Sequence, residues 1–220
     1  MLLVEWVLLS ALDELHRREV LSVCRRRKFA RGEVVFHEGD PGDTLHLIAK
    51  GHVAVRTTTP RGDEALIRVL GPGDFFGELS VIAPAPRNAT ITCLDPAETL
   101  GLFRDDFEEL RATQPGVDAV LIQALIAEVR RLSVQLSQAL YLPVESRLWK
   151  RVADLARLYE SSSSDVVMIP LTQDDVAHLA GTTRPTANKV LRSGEDKGVL
   201  RISRGCIEIL DLDALQKLAR

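Results

Sequence analysis

The stretch TQDDVAHLAGTTRPTANKVLRSGEDKGVL, residues 172–200, predicts two short helices joined by a tight turn. Thr172 is a favourable helix N-cap, and Asp175 follows it at the spacing of a capping box. Gly181 permits the positive φ that a tight turn requires, and either of the two threonines after it can cap the second helix. The pattern indicates a helix-turn-helix, whose second helix enters the major groove of DNA.

The segments around these helices predict a winged-helix domain. Residues 144–159 have the pattern of an amphipathic helix, the four serines at 161–164 predict a polar loop, and residues 166–169 favour a strand. Gly198 is expected to end the second helix. Two short apolar runs on either side of Arg204 predict a β-hairpin, which is the wing.

The predicted reading helix and wing carry basic charge. Residues 183–204 contain six basic and two acidic side chains, although the whole chain has a formal net charge of -3. Neutralisation of phosphates by Lys and Arg dominates DNA affinity, so the local charge matters more than the total. The alternative interpretation is an ordinary solvated charged face.

Several side chains of this domain are candidate DNA contacts. Arg184 can form the bidentate contact to guanine, and Lys189 can reach a guanine edge or a phosphate. Pro185 either contacts a thymine methyl group or fixes the first helical turn. Because proline disfavours helical angles in the residue before it, Arg184 is also a candidate N-cap. The other candidate contacts are Gln173, Thr186, Asn188, Arg201 and Arg204.

Residues 30–103 have a different pattern, in which short apolar runs alternate with glycine-containing turns. Runs such as VVF, LHLI and VAV have strand character, and the glycines mark reversals between them. The pattern predicts an antiparallel sandwich or barrel, and no enzyme motif interrupts it.

One segment of this β domain has the chemistry of an anion site. It reads GDFFGELSVIAPAPRNAT, residues 73–90. The backbone N–H groups of Gly77, Glu78 and Leu79 can converge on an anion. The guanidinium group of Arg87 can pair with phosphate oxygens, and Glu78 can accept from a sugar hydroxyl. The alternative is a chance Gly-Glu-Leu triplet beside a surface arginine.

A long helix is predicted after Pro115, because apolar residues follow at alternating steps of three and four. This is the spacing of a coiled-coil seam. The seam residues are Ile122, Leu125, Val129, Leu132, Leu136 and Ala139. A stripe of this kind can pack within one chain, but an unbroken stripe of about five turns between two domains favours a homodimer.

Pro143 is expected to end the long helix, and residues 141–143 form the predicted hinge. The predicted domains are an effector-binding β-roll with flanking helices over residues 1–116, a dimerisation helix over 117–142, and a winged-helix DNA-binding domain over 143–220.

With these motifs the chain resembles the Crp/Fnr family of bacterial transcription regulators. The resemblance rests on FHEGDPGD and FFGELS, on Arg87-Asn88-Ala89, on the long helix and on the T-x-x-D-x-A-x-L-x-G pattern of the helix-turn-helix. It implies an α+β fold with an N-terminal cyclic-nucleotide-binding β-roll (jelly roll), a dimerisation helix and a C-terminal winged helix-turn-helix. It also implies a cytoplasmic homodimer that binds double-stranded DNA allosterically, with RNA polymerase as a candidate partner and no required cofactor.

The resemblance implies roles for single residues. Cyclic-nucleotide binders of the family use the position of Glu78 for the ribose hydroxyl and that of Arg87 for the cyclic phosphate. The next position, usually Ser or Thr, is Asn88, and the helix position that usually offers a Thr hydroxyl to adenine is Leu132. Ser133 supplies a hydroxyl beside it. We expect cAMP or a related cyclic nucleotide as effector; another effector, thiol redox control or constitutive DNA binding are the alternatives.

Cysteine usage bears on those alternatives. Cys24, Cys93 and Cys206 lie far apart, without a Cys-x-x-Cys pair or a His at metal-ligand spacing, so we expect no metal and a reducing compartment. A thiol switch at Cys24 stays open, because the three arginines that follow it can lower a thiol pKa.

Two further classes of function are weighed by what the sequence lacks. The apolar start MLLVEWVLLSAL is interrupted by Glu5 and is too short to span a bilayer, so it predicts a docking helix and no membrane. No Ser-His-Asp signature, metal-binding His pair or Walker loop predicts an enzyme. A cyclic-nucleotide-binding module in a protein-interaction dimer remains an alternative, and salt-sensitive binding to duplex DNA distinguishes it from a regulator.

Overall fold

The structure is a computed structural model that describes residues 4–10, 12–59, 62–160 and 166–219. The serine run predicted to form a loop at 161–164 lies outside the described residues. The chain divides into two compact units, one formed by Met1–Glu64 and Arg68–Arg131 and the other by Ala65–Ile67 and Leu132–Arg220. The predicted α+β class is confirmed, while the three-part domain division stays a prediction.

The β domain consists of two four-stranded sheets. The first has the order β1 (Arg25–Phe29), β8 (Ala97–Phe103), β3 (Thr44–Lys50) and β6 (Phe75–Phe76). The second has the order β2 (Val34–Phe36), β7 (Thr90–Cys93), β4 (Val53–Thr58) and β5 (Glu64–Leu70). The strand pairs whose register is described are antiparallel, which confirms the sandwich predicted from the glycine-spaced apolar runs.

Strand β3 is the centre of the β domain, since it is buried on both faces. Leu45 and Leu47 pack with the N-terminal segment and with Phe107 of α3 (Arg104–Thr113), whereas Ile48 belongs to the core between the sheets. Two other short helices of this domain are α1 (Glu14–Val23) and α2 (Glu78–Ile82).

The apolar N-terminal segment docks on this core, but not as the predicted helix. Its described part contains only a 3-10 turn at Val7–Leu9, and Met1–Leu3 and Ala11 lie outside the described residues. The indole Nε1 of Trp6 donates to the carbonyl of Ile48 at 2.9 Å. Burial of the segment therefore fixes an irregular backbone. Within the described residues, no helix has the length and apolar character needed to cross a membrane.

The long helix is α4 (Pro115–Tyr141), followed by α5 (Val144–Tyr159). The prediction that Pro143 ends the long helix is confirmed, since α4 ends at Tyr141 and Pro143 is the N-cap of α5. The predicted seam is exposed in this single chain: the exposed fraction is 62% for both Val129 and Leu136. Ile126, Val134 and Leu140 are also exposed, so the apolar surface is wider than the predicted stripe.

The C-terminal domain is a winged helix, as predicted. Its elements after α5 are β9 (Val167–Ile169), α6 (Gln173–Leu179), α7 (Arg184–Asp196), β10 (Leu200–Ser203), β11 (Cys206–Ile209) and α8 (Leu212–Leu218). The strand order is β10-β11-β9, and the β10–β11 hairpin is the wing. The core around the buried Trp149 is tight, because a Cβ added at Gly194 would lie 2.5 Å from the indole.

Candidate functional site

The candidate anion site is built around the guanidinium group of Arg87, which is only 5% exposed. Its Nη1 donates to the carbonyl of Gly77 at 2.9 Å, and its Nη2 donates to the carbonyl of Thr44 at 2.7 Å. Its backbone is held as well, since Arg87 N donates to Asp40 O and Gly39 N donates to Arg87 O, both at 2.8 Å. The glycine-rich turn before β3 therefore fixes this arginine.

Arg87 is a buried cation that has no direct counter-ion in the part of the chain that the structure describes. Among the described ion pairs none involves Arg87, and its buried Nε has no hydrogen-bond partner. Burial lowers the pKa of the guanidinium group, while the carboxyl groups of Asp43, Glu78 and Asp40 raise it from a greater distance. A negatively charged ligand would supply the missing charge.

Two glycines make room for this side chain. Gly77 is the N-cap of α2 with φ 83°, and a Cβ there would lie 2.6 Å from Arg87 Nη1. A Cβ at Gly42 would collide with Ser80 and would lie 3.1 Å from Arg87 Nε. Both positions therefore need glycine for close packing, and Gly77 also needs it for its left-handed backbone.

The other candidate effector residues of this segment line the same region. Glu78 begins α2; burial raises the pKa of its carboxyl group, and Arg68 and Arg87 lower it. The side chain of Leu79 is 43% exposed, and Asn88 is exposed next to Arg87. The remaining two candidates, Leu132 and Ser133, are exposed on α4. Their contribution to ligand binding stays a prediction.

An ion-pair cluster close to Glu78 was missed by the sequence analysis. Arg68 Nη1 and Arg131 Nε both bond Glu128 Oε2, at 2.7 and 2.9 Å. The hydrogen bond from Arg131 lowers the pKa of Glu128. No local pattern indicates this cluster, because Arg68 and Glu128 are 60 residues apart.

The helix-turn-helix has the predicted local chemistry. The Thr172 hydroxyl accepts from Asp175 N at 3.1 Å and the Asp175 carboxylate accepts from Thr172 N at 3.0 Å, which is the capping box. Gly181 has φ 61° in the turn. Thr183 is the N-cap of α7, so the alternative that Arg184 caps the helix is wrong. The rigid proline lies inside the first turn, where its missing N–H costs no hydrogen bond.

The candidate DNA contacts form two groups. The first turns of α7 expose Arg184, Pro185, Thr186 and Lys189, and the turn of the wing exposes Arg204. The other three are engaged within the protein. Asn188 Nδ2 donates to Gln173 Oε1 at 2.5 Å, and Arg201 pairs with Glu208 at 3.3 Å.

Two arginines of α5, which the sequence analysis did not identify, hold the turn of the helix-turn-helix. Arg147 donates to the carbonyls of Ala180 and Gly181 at 3.1 and 3.2 Å, and Arg151 donates to that of Leu179 at 3.2 Å. These carbonyls lie at the C-terminal end of α6, where cationic donors are favourable. The two arginines therefore stabilise the turn in addition to its own backbone hydrogen bonds.

The two domains that carry the candidate anion site and the winged helix each match a known protein family. Residues 26–114 match the family described as cyclic nucleotide-binding domain, and residues 146–218 match the one described as Crp-like helix-turn-helix domain. Together these matches cover more than half of the chain. The chain belongs to the Crp/Fnr family. It is a Crp-like transcription regulator with a cyclic nucleotide-binding domain, and not an enzyme.

Individual relatives of this Crp/Fnr protein span almost its whole length. It is 32% identical over 194 residues to the CRP-like cAMP-activated global transcriptional regulator of Mycobacterium tuberculosis, covering 87% of each chain. It is 30% identical over 199 residues to the cyclic AMP receptor protein of Thermus thermophilus, covering 90% of each. The crystal structure of the catabolite activator protein of Thermus thermophilus is similar with a TM-score of 0.57, at 29% identity and over 97% and 98% of the two chains.

The structure argues against a thiol switch in this Crp/Fnr protein. The arginines after Cys24 were expected to lower its thiol pKa, but burial and, to a smaller extent, the Asp106 carboxylate raise that pKa to about 12. Burial likewise raises the pKa of Cys93 to about 11. The loss of water around the thiol therefore affects its pKa more than the neighbouring positive charges do.

The described residues contain no group of three or more His, Cys, Asp or Glu side chains that could hold a metal.

We predict that Cys24 and Cys93 resist alkylation in the folded protein. With a thiol pKa near 12 instead of 9, the thiolate fraction of Cys24 at pH 8 is smaller by about a thousandfold. Iodoacetamide labelling followed by mass spectrometry checks this, with the denatured protein as the reference for each thiol. Labelling of folded Cys24 at the denatured rate would contradict the account.

Proposed function

We propose that this protein is a homodimeric transcription regulator whose DNA binding is controlled by a cyclic nucleotide, with cAMP as the first candidate. The observation that carries the proposal is the buried Arg87 cation, which has no carboxylate within ion-pair distance among the described residues. A cyclic phosphate has the single negative charge and the oxygen acceptors that such a site lacks. The printed names of two relatives, one cAMP-activated and one a cyclic AMP receptor, support the choice.

In this proposal, different residues of the candidate anion site bind different parts of the ligand. Arg87 and the backbone N–H groups of Gly77, Glu78 and Leu79 bind the phosphate, and Asn88 donates to it from the rim. Glu78 accepts from the ribose hydroxyl, and a hydroxyl donor compensates a carboxylate that burial disfavours. These are expected roles of the residues, argued from their chemistry.

The residue expected beside the base of the ligand departs from the pattern of cAMP binders. Leu132 offers no hydrogen bond to adenine, and loss of one buried polar partner costs about 1–3 kcal/mol, which weakens binding by one or two decades. Ser133 supplies a hydroxyl at the neighbouring position. Another anionic effector, or constitutive DNA binding, is the alternative if cyclic nucleotides do not bind.

For the DNA interface, we propose that Arg184 and Lys189 contact base edges. Pro185 contacts a thymine methyl group or fixes the first helical turn, and Thr186 contacts a phosphate. Arg184 is exposed at the start of α7 and has the bidentate geometry that guanine selects. Gln173, Asn188, Arg201 and Arg204 are assigned to phosphate contacts or their support. The regulator would act in the cytoplasm, with RNA polymerase as its partner at promoters.

For the dimer, we propose that two copies associate through α4. The seam residues Ile122, Leu125, Val129, Leu132, Leu136 and Ala139 are all exposed in the single chain. An exposed apolar stripe of this length favours association with a second copy. A two-fold dimer then presents two reading helices to half-sites one DNA turn apart.

The ligand proposal is tested by isothermal titration calorimetry with cAMP and cGMP. We expect binding by the wild type, and a loss of at least about tenfold in Arg87→Gln and Arg87→Ala, because hydrogen bonds to a charged group each contribute about 1.5–3 kcal/mol. Arg157→Ala is the matched control, since Arg157 is exposed in the other unit. Equal binding by the Arg87 variants and the wild type would refute the proposal that Arg87 binds the ligand phosphate.

The dimer proposal predicts that Leu136→Glu separates the protomers, because it buries a charge in the proposed seam. Sedimentation equilibrium should give twice the monomer mass for the wild type and a weakened or absent dimer for the variant. Ser137→Glu, on the same helix but off the seam, should remain dimeric. A monomeric wild type, or a Leu136→Glu dimer of unchanged strength, would exclude this interface.

A further inference from the structure

The ring of Phe36 lies directly beneath the guanidinium group of Arg87. The guanidinium carbon is 4.1 Å from the ring centroid, within the range of a cation–π contact. Phe36 is the last residue of β2, whereas Arg87 precedes β7, the strand that pairs with β2. The contact thus joins two neighbouring strands at the candidate anion site.

This contact occupies a face of the guanidinium plane and uses none of its N–H donors. The five N–H donors of an arginine lie in that plane. Two of them bond the carbonyls of Gly77 and Thr44, and the buried Nε–H has no partner in the described residues. A ring against the face restricts rotation of the plane out of this direction, so the unused donors keep a fixed orientation.

Phe36 is itself held by an aromatic cluster. Its centroid lies 5.8 Å from that of Phe76 and 6.2 Å from that of His46, and His46 and Phe76 stack at 5.0 Å. His46 also bonds Thr99 through Nδ1 at 3.1 Å. Burial, followed by the nearby Arg87, lowers the pKa of His46 to about 3, so the cluster adds no positive charge beneath the arginine at neutral pH.

We propose that Phe36 is a positioning residue for the anion site, which holds the guanidinium plane of Arg87 and compensates its charge while no ligand is bound. This inference rests on the proposed function in so far as the anion is a cyclic phosphate. The ring quadrupole stabilises the buried cation in the absence of a counter-ion. The ligand phosphate then meets donors that are already oriented, which reduces the conformational cost of binding.

The alternative is that Phe36 merely fills space in the sandwich core. Phe36→Leu distinguishes the two, because leucine keeps apolar packing and removes the π face, whereas Phe36→Tyr keeps the face. The matched control is Phe103→Leu, since Phe103 is a partly buried ring under another arginine, Arg25, at 4.6 Å. If Phe36 only fills the core, the leucine and tyrosine variants should differ in ligand affinity no more than their stabilities explain. Thermal melts measure those stabilities.

The first readout is the affinity for cAMP and cGMP by calorimetry with the full-length protein. From the usual strength of cation–π contacts, Phe36→Leu should weaken binding by about two- to thirtyfold. Phe36→Tyr should stay within about twofold of the wild type, and Phe103→Leu should bind like the wild type. Wild-type affinity in Phe36→Leu would overturn the proposal, as would a loss in Phe103→Leu as large as that in Phe36→Leu.

The second readout needs no ligand and uses NMR of the Arg87 side chain. The ring current of Phe36 should displace the Arg87 Hδ and Hε resonances upfield, and Phe36→Leu should abolish the displacement while Phe103→Leu preserves it. If the wild type bound neither nucleotide, the proposed effector would fail, and this readout would still decide the role of Phe36. Undisplaced Arg87 resonances in the wild type, or displacement that survives in Phe36→Leu, would overturn it.

Discussion

A guanidinium group that leaves water must find compensation inside the protein, and Arg87 finds it only in part. Two carbonyls accept from two of its donors, and an aromatic ring covers one of its faces. Among the described residues, its Nε–H has no hydrogen-bond partner and no carboxylate pairs with it. Gly42, Gly77 and the turn at Asp40 are needed so that the side chain can lie where it does. The close packing at these glycines and this turn therefore accommodates one buried cation.

In the winged helix, a separate set of interactions fixes the N-terminus of the helix that faces DNA. The capping box of Thr172 and Asp175 begins α6, and Gly181 turns the chain. Arg147 and Arg151 then bind the carbonyls that the end of α6 leaves without partners. These bonds make the turn a defined structure, so side chains at the start of α7 are presented in a fixed direction.

The sequence predicted features that depend on near neighbours and missed those that depend on distant ones. The capping box, the turn at Gly181 and the break at Pro143 follow from adjacent residues and are confirmed. The seat of Phe36 beneath Arg87 requires the pairing of β2 with β7, which no local pattern reveals. Burial also explains two predictions that were wrong. The apolar N-terminal segment, predicted as a helix, contains a 3-10 turn in its described part, and the thiol pKa of Cys24 is raised although three arginines follow it.

The proposed coupling of cyclic-nucleotide binding to DNA binding in one dimer can be measured directly by fluorescence anisotropy. The probe is a duplex that the protein itself selects from a random pool, titrated with and without saturating cAMP. We expect cAMP to change the affinity of the wild type for this duplex by at least about fivefold. The DNA affinity of Arg87→Ala should not respond to cAMP, and Arg184→Ala should show little specific DNA binding with or without cAMP. Identical wild-type isotherms with and without cAMP, in protein that calorimetry shows to bind cAMP, would exclude this coupling.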